Sequence, residues 1–130
     1  MYTSLVREFT IACEKELPDR PQRLDSSRIA FIRKMVNDEL DELEQARETW
    51  EQADALVDAV YYLCDTAVRH GMNLDPLFQL VHQANLAKLV DGKVLRREDG
   101  KILKPAGWTD PAPLLQAEIE RQAREGAFSP

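Results

Sequence analysis

The sequence predicts an all-α fold, a bundle of about five helices with one irregular loop. Three observations lead there. Apolar residues recur at helical steps of three and four. Breakers and caps such as Pro18, Pro21, Gly71 and Pro111 divide those stretches. The segment that differs in kind, near 91–108, carries the tight-turn dipeptide Asp99-Gly100.

The first helix is expected from Thr3 to about Glu16, because Leu5, Phe9, Ile11, Ala12 and Leu17 follow a helical rather than an alternating period. Pro18 and Pro21 end it. Asp25-Ser26-Ser27 supplies N-cap candidates for a second helix running to about Thr49. A third helix covers Glu51 to His70 and stops at Gly71, a natural C-terminal residue for a helix. Asn73 or Asp75 can cap a fourth, with Pro76 pre-set for its first turn and an end near Leu89. Residues 91–108 then read as a short hairpin or ordered loop, with Asp99-Gly100 between Val94-Leu95 and Ile102-Leu103. Asp110-Pro111 opens the last helix, carrying Leu114, Leu115 and Ile119, before a frayed end at Gly126 to Pro130. Residues 1–130 are expected to form one domain, large enough for a real hydrophobic core.

Composition narrows the function classes. Hydrophobic residues make up 44% and charged residues 31%, the balance of a folded soluble chain. A formal charge of −6 does not attract nucleic acid or an anionic membrane in bulk, so neither is an expected partner. A polyphosphate substrate would need cations to offset the repulsion. The first residues, MYTSLVREFT, lack the layout of a signal peptide, and no run reaches the roughly 20 apolar residues of a membrane span. Cys13 and Cys64 stand alone, without metal or disulfide spacing, which favours a reducing cytoplasm.

The acidic residues carry the chemistry. On the second helix Ile29, Ile32, Val36, Leu40 and Leu43 form the expected core stripe, and Lys34, Asn37, Asp41, Glu44 and Glu48 the solvent face. Glu39 and Glu42 belong to neither; they share a border stripe with Met35 and Ala46, and Asp38 lies one turn before Glu42. Two carboxylates three apart sit side by side and repel unless a cation joins them. On the third helix the only charges between Ala53 and Cys64 are Asp54 and Asp58, four apart on one face. Ala53, Leu56, Val57, Val60, Leu63, Cys64, Ala67 and Val68 cover most of the remaining circumference, which places the helix centrally and Asp58 at least partly under cover. A buried carboxylate must be paired, protonated or metal-bound. Facing helices that project carboxylates inward make an all-oxygen site suited to Mg²⁺ or Mn²⁺. A di-iron bundle needs Glu-x-x-His, and Gln79 precedes His82 where Ala67 precedes His70.

On the fourth helix His82, Asn85 and Lys88 are three apart. Lys88 can neutralise phosphate and Asn85 can hydrogen-bond a sugar or phosphate oxygen. Lys93, Lys101 and Lys104 can close over an anion or simply solvate the loop, and Trp108 reads as a packing residue.

Together these residues resemble the MazG-like, all-α nucleoside triphosphate pyrophosphohydrolases, which include phosphoribosyl-ATP pyrophosphohydrolase and dimeric dUTPase. The family motif is ExxE, a spacer, then ExxD. Glu39-Leu-Asp-Glu42 matches the first half, and Leu56-Val-Asp58-Ala-Val-Tyr61 the end of the second. VHQANLAKL and DGKILKPAGW are similar to a subgroup with dUTPase-type activity, and the likeness runs from about Glu8 to Trp108. One departure stands out: Ala55 occupies the position of the motif's second Glu before Asp58. Asp54 or Glu51 can supply that ligand, Glu51-Gln-Ala-Asp54 is itself a literal ExxD, and a site with one metal fewer is a further alternative.

The resemblance implies a MazG-like bundle in which a metal-activated water attacks the triphosphate, releasing pyrophosphate and a nucleoside monophosphate. It implies Glu39, Glu42, Asp58 and Asp54 as metal ligands, Asp38 or Glu39 orienting the water, and Asn85, Lys88 and Lys104 holding phosphate or sugar. Relatives are homodimers or homotetramers with sites near subunit interfaces. They act on dUTP or damaged nucleotides or, in the compact phage MazZ type, on dGTP, so a bacterial or phage-infected host cytoplasm is the expected setting. A catalytically weak nucleotide-binding or helical interaction module is the alternative.

Overall fold

Each helix begins where a polar group can satisfy its free N–H groups. In the computed structural model, which describes residues 1–129, the order is α1 (Tyr2–Cys13), α2 (Ser26–Gln45), α3 (Thr49–Arg69), α4 (Leu74–Leu86) and α5 (Ala112–Glu125). Asp25 caps α2 by accepting from the Arg28 N–H at 2.8 Å. Glu48 and Glu51 form a reciprocal capping box at the start of α3. Asn73 caps α4, accepting from the Asp75 N–H at 3.0 Å, and Asp110 accepts from the Ala112 N–H at 2.8 Å ahead of α5. No side chain within α1 caps it; Asp75 on α4 accepts from the Thr3 N–H at 2.9 Å and the Ser4 hydroxyl at 2.6 Å instead.

The all-α expectation is met, with α3 as the axis. It packs against α2 on one flank and α1 on the other, while α4 leans on α1 and α5. Small or compact residues (Ala55, Cys64, Thr66, Ala67 and Val68) are the buried positions of α3, which lets its neighbours approach closely. Where α3 ends, Gly71 takes φ +68°, and a Cβ there would stand 2.1 Å from the Arg20 carbonyl oxygen. Only glycine fits that crossing. Gln122 of α5 is wholly buried beside it; its amide accepts from the Asn73 N–H at 3.0 Å and donates to the Asn73 carbonyl at 2.9 Å. Asn73 in turn donates to the Ala127 carbonyl, and Ala127 N–H to that of Asp19.

Several expectations are corrected. The α2 core stripe is only partly covered: no α2 residue is fully buried, and Ile29 and Leu40 are exposed. Its one extensive neighbour among the described residues is α3, so the outer flank of the stripe stays open. The expected core is accordingly thin, with Val6, Ala55, Cys64, Ala67, Val68 and Ala127 its buried apolar residues. Helix α1 stops at Cys13 rather than Glu16, and α2 at Gln45 rather than Thr49, because Ala46 turns extended and Glu48 caps the next helix. Helix α4 stops at Leu86, before Leu89. Of the two readings of residues 91–108, hairpin or ordered loop, the ordered loop is the one found, with isolated bridges Val90–Lys93 and Arg96–Ile102. The Asp99-Gly100 turn is present, with the Gly100 N–H donating to the Arg97 carbonyl at 2.8 Å. Among the described residues no helix is long and apolar enough to cross a membrane.

Candidate active site

The short link between α2 and α3 folds them into a helical hairpin. Glu39 and Glu42, one turn apart near the end of α2, thereby meet Asp58 in the first half of α3. One carboxylate oxygen from each lies within 4.8 Å of the others. Glu39 and Asp58 are half-buried and Glu42 is exposed. Burial, followed by a hydrogen bond with Glu42 and the charges of Glu42, Asp58 and Asp54, pushes the Glu39 carboxyl up to about 6. Burial and the charges of Asp54 and Glu42 also raise Asp58. The Glu39 Oε2 atom is buried without a hydrogen-bond partner among the described residues. Crowded carboxylates with a shortage of positive charge fit a divalent cation, and their all-oxygen donor set fits a hard one such as Mg²⁺ or Mn²⁺.

The remaining acidic residues are placed differently. Asp54 is exposed and outside the group of three, although its charge reaches Glu39 and Asp58. The Glu51 side chain accepts from the Glu48 N–H at 3.1 Å, so the capping box holds it. Ala55 is 3% exposed, in the packed interior of α3. Asp38 is exposed and stands 4.0 Å from Lys34 Nζ.

Between α1 and α2, along α3, a cavity of about 420 Å³ opens from Glu39 and Asp58. Phe9, Tyr61 and Tyr62 line it, with Asp65 and Arg69 further along α3. The Phe9 and Tyr61 rings meet edge to face, centroids 6.3 Å apart at 72°. Asp65 accepts from Thr10 Oγ1 at 2.7 Å and from Arg69 Nε at 2.8 Å, and Arg69 Nη1 donates to Glu14 at 2.7 Å. The sequence reading took Phe9 as part of the first helix's apolar pattern and overlooked Arg69. A signal existed: Tyr61, Tyr62, Asp65 and Arg69 follow Asp58 at three, four, seven and eleven residues, one face of a helix. A second cavity of about 330 Å³ lies beyond Glu42, walled by Asp54, Glu51 and the exposed Trp50.

Asn85, Lys88 and Lys104 form a separate group. Trp108 donates Nε1–H to the Ala84 carbonyl at 2.8 Å, with Lys88 Nζ 5.4 Å and Lys104 Nζ 4.9 Å from its ring centroid. Asn85 is exposed at the end of the same helix. The main neighbours of α4 are α1 and α5, and neither cavity beside the carboxylates is lined by any of the three.

A comparison with curated proteins gives no significant match. A family model described as phosphoribosyl-ATP pyrophosphohydrolase matches residues 6–85, from α1 through nearly all of α4, and spans Glu39, Glu42 and Asp58. With that match over more than half its length, the chain belongs to the phosphoribosyl-ATP pyrophosphohydrolase family, MazG-like nucleotide pyrophosphohydrolases that act on acid anhydrides.

Proposed function

We propose that this chain is a metal-dependent (deoxy)nucleoside triphosphate diphosphohydrolase, converting a dNTP and water into a dNMP and pyrophosphate, with dGTP, GTP or dUTP as substrate. The observation that carries it is the meeting of Glu39, Glu42 and Asp58, with Glu39 Oε2 unpartnered among the described residues. Members of the family are typically dependent on divalent metal. Glu39, Glu42 and Asp58 would hold Mg²⁺ or Mn²⁺, with Asp54 joining from beside Glu42. A bound ion would supply Lewis acidity there, making a water more acidic and offsetting charge on the leaving pyrophosphate. Of the two groups expected to orient the water, Glu39 is the better supported, since its Oε2 is unengaged while Asp38 stands beside Lys34 outside the cluster.

Asn85, Lys88 and Lys104 hold phosphate or sugar in this reading. Assembly as a homodimer or homotetramer gives them a route to the carboxylates of another copy. The exposed apolar surface supports assembly: Leu56 and Val57 are 53% and 60% exposed and share an apolar groove with Tyr2, Leu5 and Val60. Residues 1–130 act as one domain, working in the cytoplasm without nucleic acid or membrane as partner.

A second reading rests on Ala55. Alanine at this position leaves the motif's usual carboxylate missing, which favours a nucleotide-binding module with weak turnover. The deciding experiment incubates the purified protein with Mg²⁺ or Mn²⁺ and a panel of canonical and modified triphosphates, then separates the products. Pyrophosphate and monophosphate are expected; no release from any member of the panel ends the hydrolase reading, and a rise in Tm without product supports the binding module.

A further inference from the structure

We infer that the α3 trough between Asp58 and Arg69 receives the nucleobase, with Phe9 and Tyr61 as its stacking wall and the Asp65–Arg69 pair reading the base edge. This rests on the hydrolase reading above and adds to it the residues that select the substrate. The seven residues from Asp58 to Asp65 rise about 10 Å along the helix. That is the reach of a nucleoside from its α-phosphate to the outer edge of its base. The cavity therefore begins at the carboxylates and ends at the polar pair, with aromatic rings between them.

The rings are open rather than consumed by the core. Phe9 is 59% and Tyr61 39% exposed, and an edge-to-face pair leaves ring surface on which a planar base can stack. The polar end is fixed before any ligand arrives. Asp65 is held by Thr10 of α1 and by Arg69, and Arg69 by Glu14 beyond α1. Each Asp65 oxygen accepts one bond and retains a lone pair; Arg69 Nη2 makes no hydrogen bond among the described residues. A rigid acceptor beside a rigid donor matches a base that presents a carbonyl next to a ring N–H, as guanine and uracil do. The two tryptophans fit less well. Both Lys88 and Lys104 attend the Trp108 ring, and Trp50 stands among Glu42, Glu51 and Asp54 with its Nε1–H donated to Glu48.

The test compares wild type with Phe9→Ala, Asp65→Asn and Trp50→Ala, using dGTP, dUTP, dATP and dCTP as substrates and their α,β-imido analogues as hydrolysis-resistant ligands. Phe9→Ala is expected to raise KM for all four about tenfold, with kcat much less affected. Asp65→Asn is expected to change the rank order of the bases, and Trp50→Ala to leave both KM and rank order as they are. Because Asp65 ties α1 to α3, its variant is read only if circular dichroism shows it folded; the exposed Phe9 keeps the test decisive otherwise. Unchanged KM in Phe9→Ala, a shift in base order with Trp50→Ala alone, or a Phe9→Ala effect confined to oligomeric state overturns the assignment. If wild type releases no pyrophosphate, the hydrolase reading fails on its own, and calorimetry with the imido analogues decides the pocket. Binding weakened by Phe9→Ala supports it, whereas no binding by wild type, or binding that Phe9→Ala leaves intact, overturns it.

Discussion

Glu39 on α2 and Asp58 on α3 hold carboxylate oxygens within 4.8 Å of each other, and the Glu39 Oε2 has no hydrogen-bond partner among the described residues. Without a cation this pair opposes folding. Glu39 titrates at about 6 in the folded chain, above its ordinary value of 4.5. Between those values the folded state binds more protons than the unfolded one, so stability falls as pH rises through that window. Asp58 acts in the same sense. In EDTA, Tm is expected to drop between pH 4.5 and 6.5, and Mg²⁺ or Mn²⁺ at pH 7.5 to restore it. Glu39→Gln should flatten that step and raise Tm in EDTA. Identical pH profiles for wild type and Glu39→Gln, with no response to metal, contradict the electrostatic account.

Turnover should depend on the same group. Glu42→Gln and Asp58→Asn are expected to lower kcat/KM for pyrophosphate release by at least about a hundredfold, near 2.7 kcal/mol of transition-state stabilisation. Asp54→Asn, outside the close group, should lose less. Restoring the family pattern with Ala55→Glu should not help, because Ala55 is buried in α3 and a carboxylate there is both oversized and desolvated. A lower Tm without gain in kcat/KM is expected; an Ala55→Glu protein with faster turnover reverses this view of the site.

The helices and the acidic centre were legible because both rest on local spacing. The period of α3 announced a central helix, and Asp58, one of only two charges between Ala53 and Cys64, announced a half-covered carboxylate. Covering of α2 was not legible: the stripe through Ile29 and Leu40 says that a surface is apolar, not how many neighbours this chain supplies for it. The trough was hidden for a related reason. Phe9 comes from α1 and Arg69 from α3, more than fifty positions apart, and only their packing makes them neighbours of one cavity. Asn85, Lys88 and Lys104 follow a sound helical and loop pattern, yet no spacing rule sets the distance from α4 to α2.

Asp75 ties the start of α1 to α4, and its contribution should be readable in acid. Burial opposes its charge, but hydrogen bonds from Ser4, the Met1 ammonium and Thr3 outweigh that and bring the carboxyl down to about 2. A depressed folded pKa gives stability that is complete above the ordinary carboxylate value and fades as pH falls through about 2. Asp75→Ala is expected to cost about 1–2 kcal/mol at pH 7, as loss of a helix cap does. The difference in urea midpoint between wild type and variant should shrink from pH 4 downward. A constant difference to pH 2 means that packing, not charge, is responsible.

Gln122 offers a sharper separation of packing from hydrogen bonding. Its amide is wholly buried, accepts from the Asn73 N–H and donates to the Asn73 carbonyl. Gln122→Leu preserves much of the volume but strands both backbone groups, at a cost of about 2–4 kcal/mol. Gln122→Glu keeps the acceptor and, when ionised, aims a second oxygen at the Asn73 carbonyl. Its carboxyl should therefore titrate high, since only the protonated form can donate there. Between its unfolded and folded pKa values the native state holds the extra proton, so Gln122→Glu gains stability relative to wild type as pH falls, whereas Gln122→Leu does not. Paired Tm measurements at pH 5 and 8 should show the Glu variant approaching wild type at pH 5 alone. Parallel losses in both variants at both pH values would make the Asn73 contact a matter of shape rather than of its two hydrogen bonds.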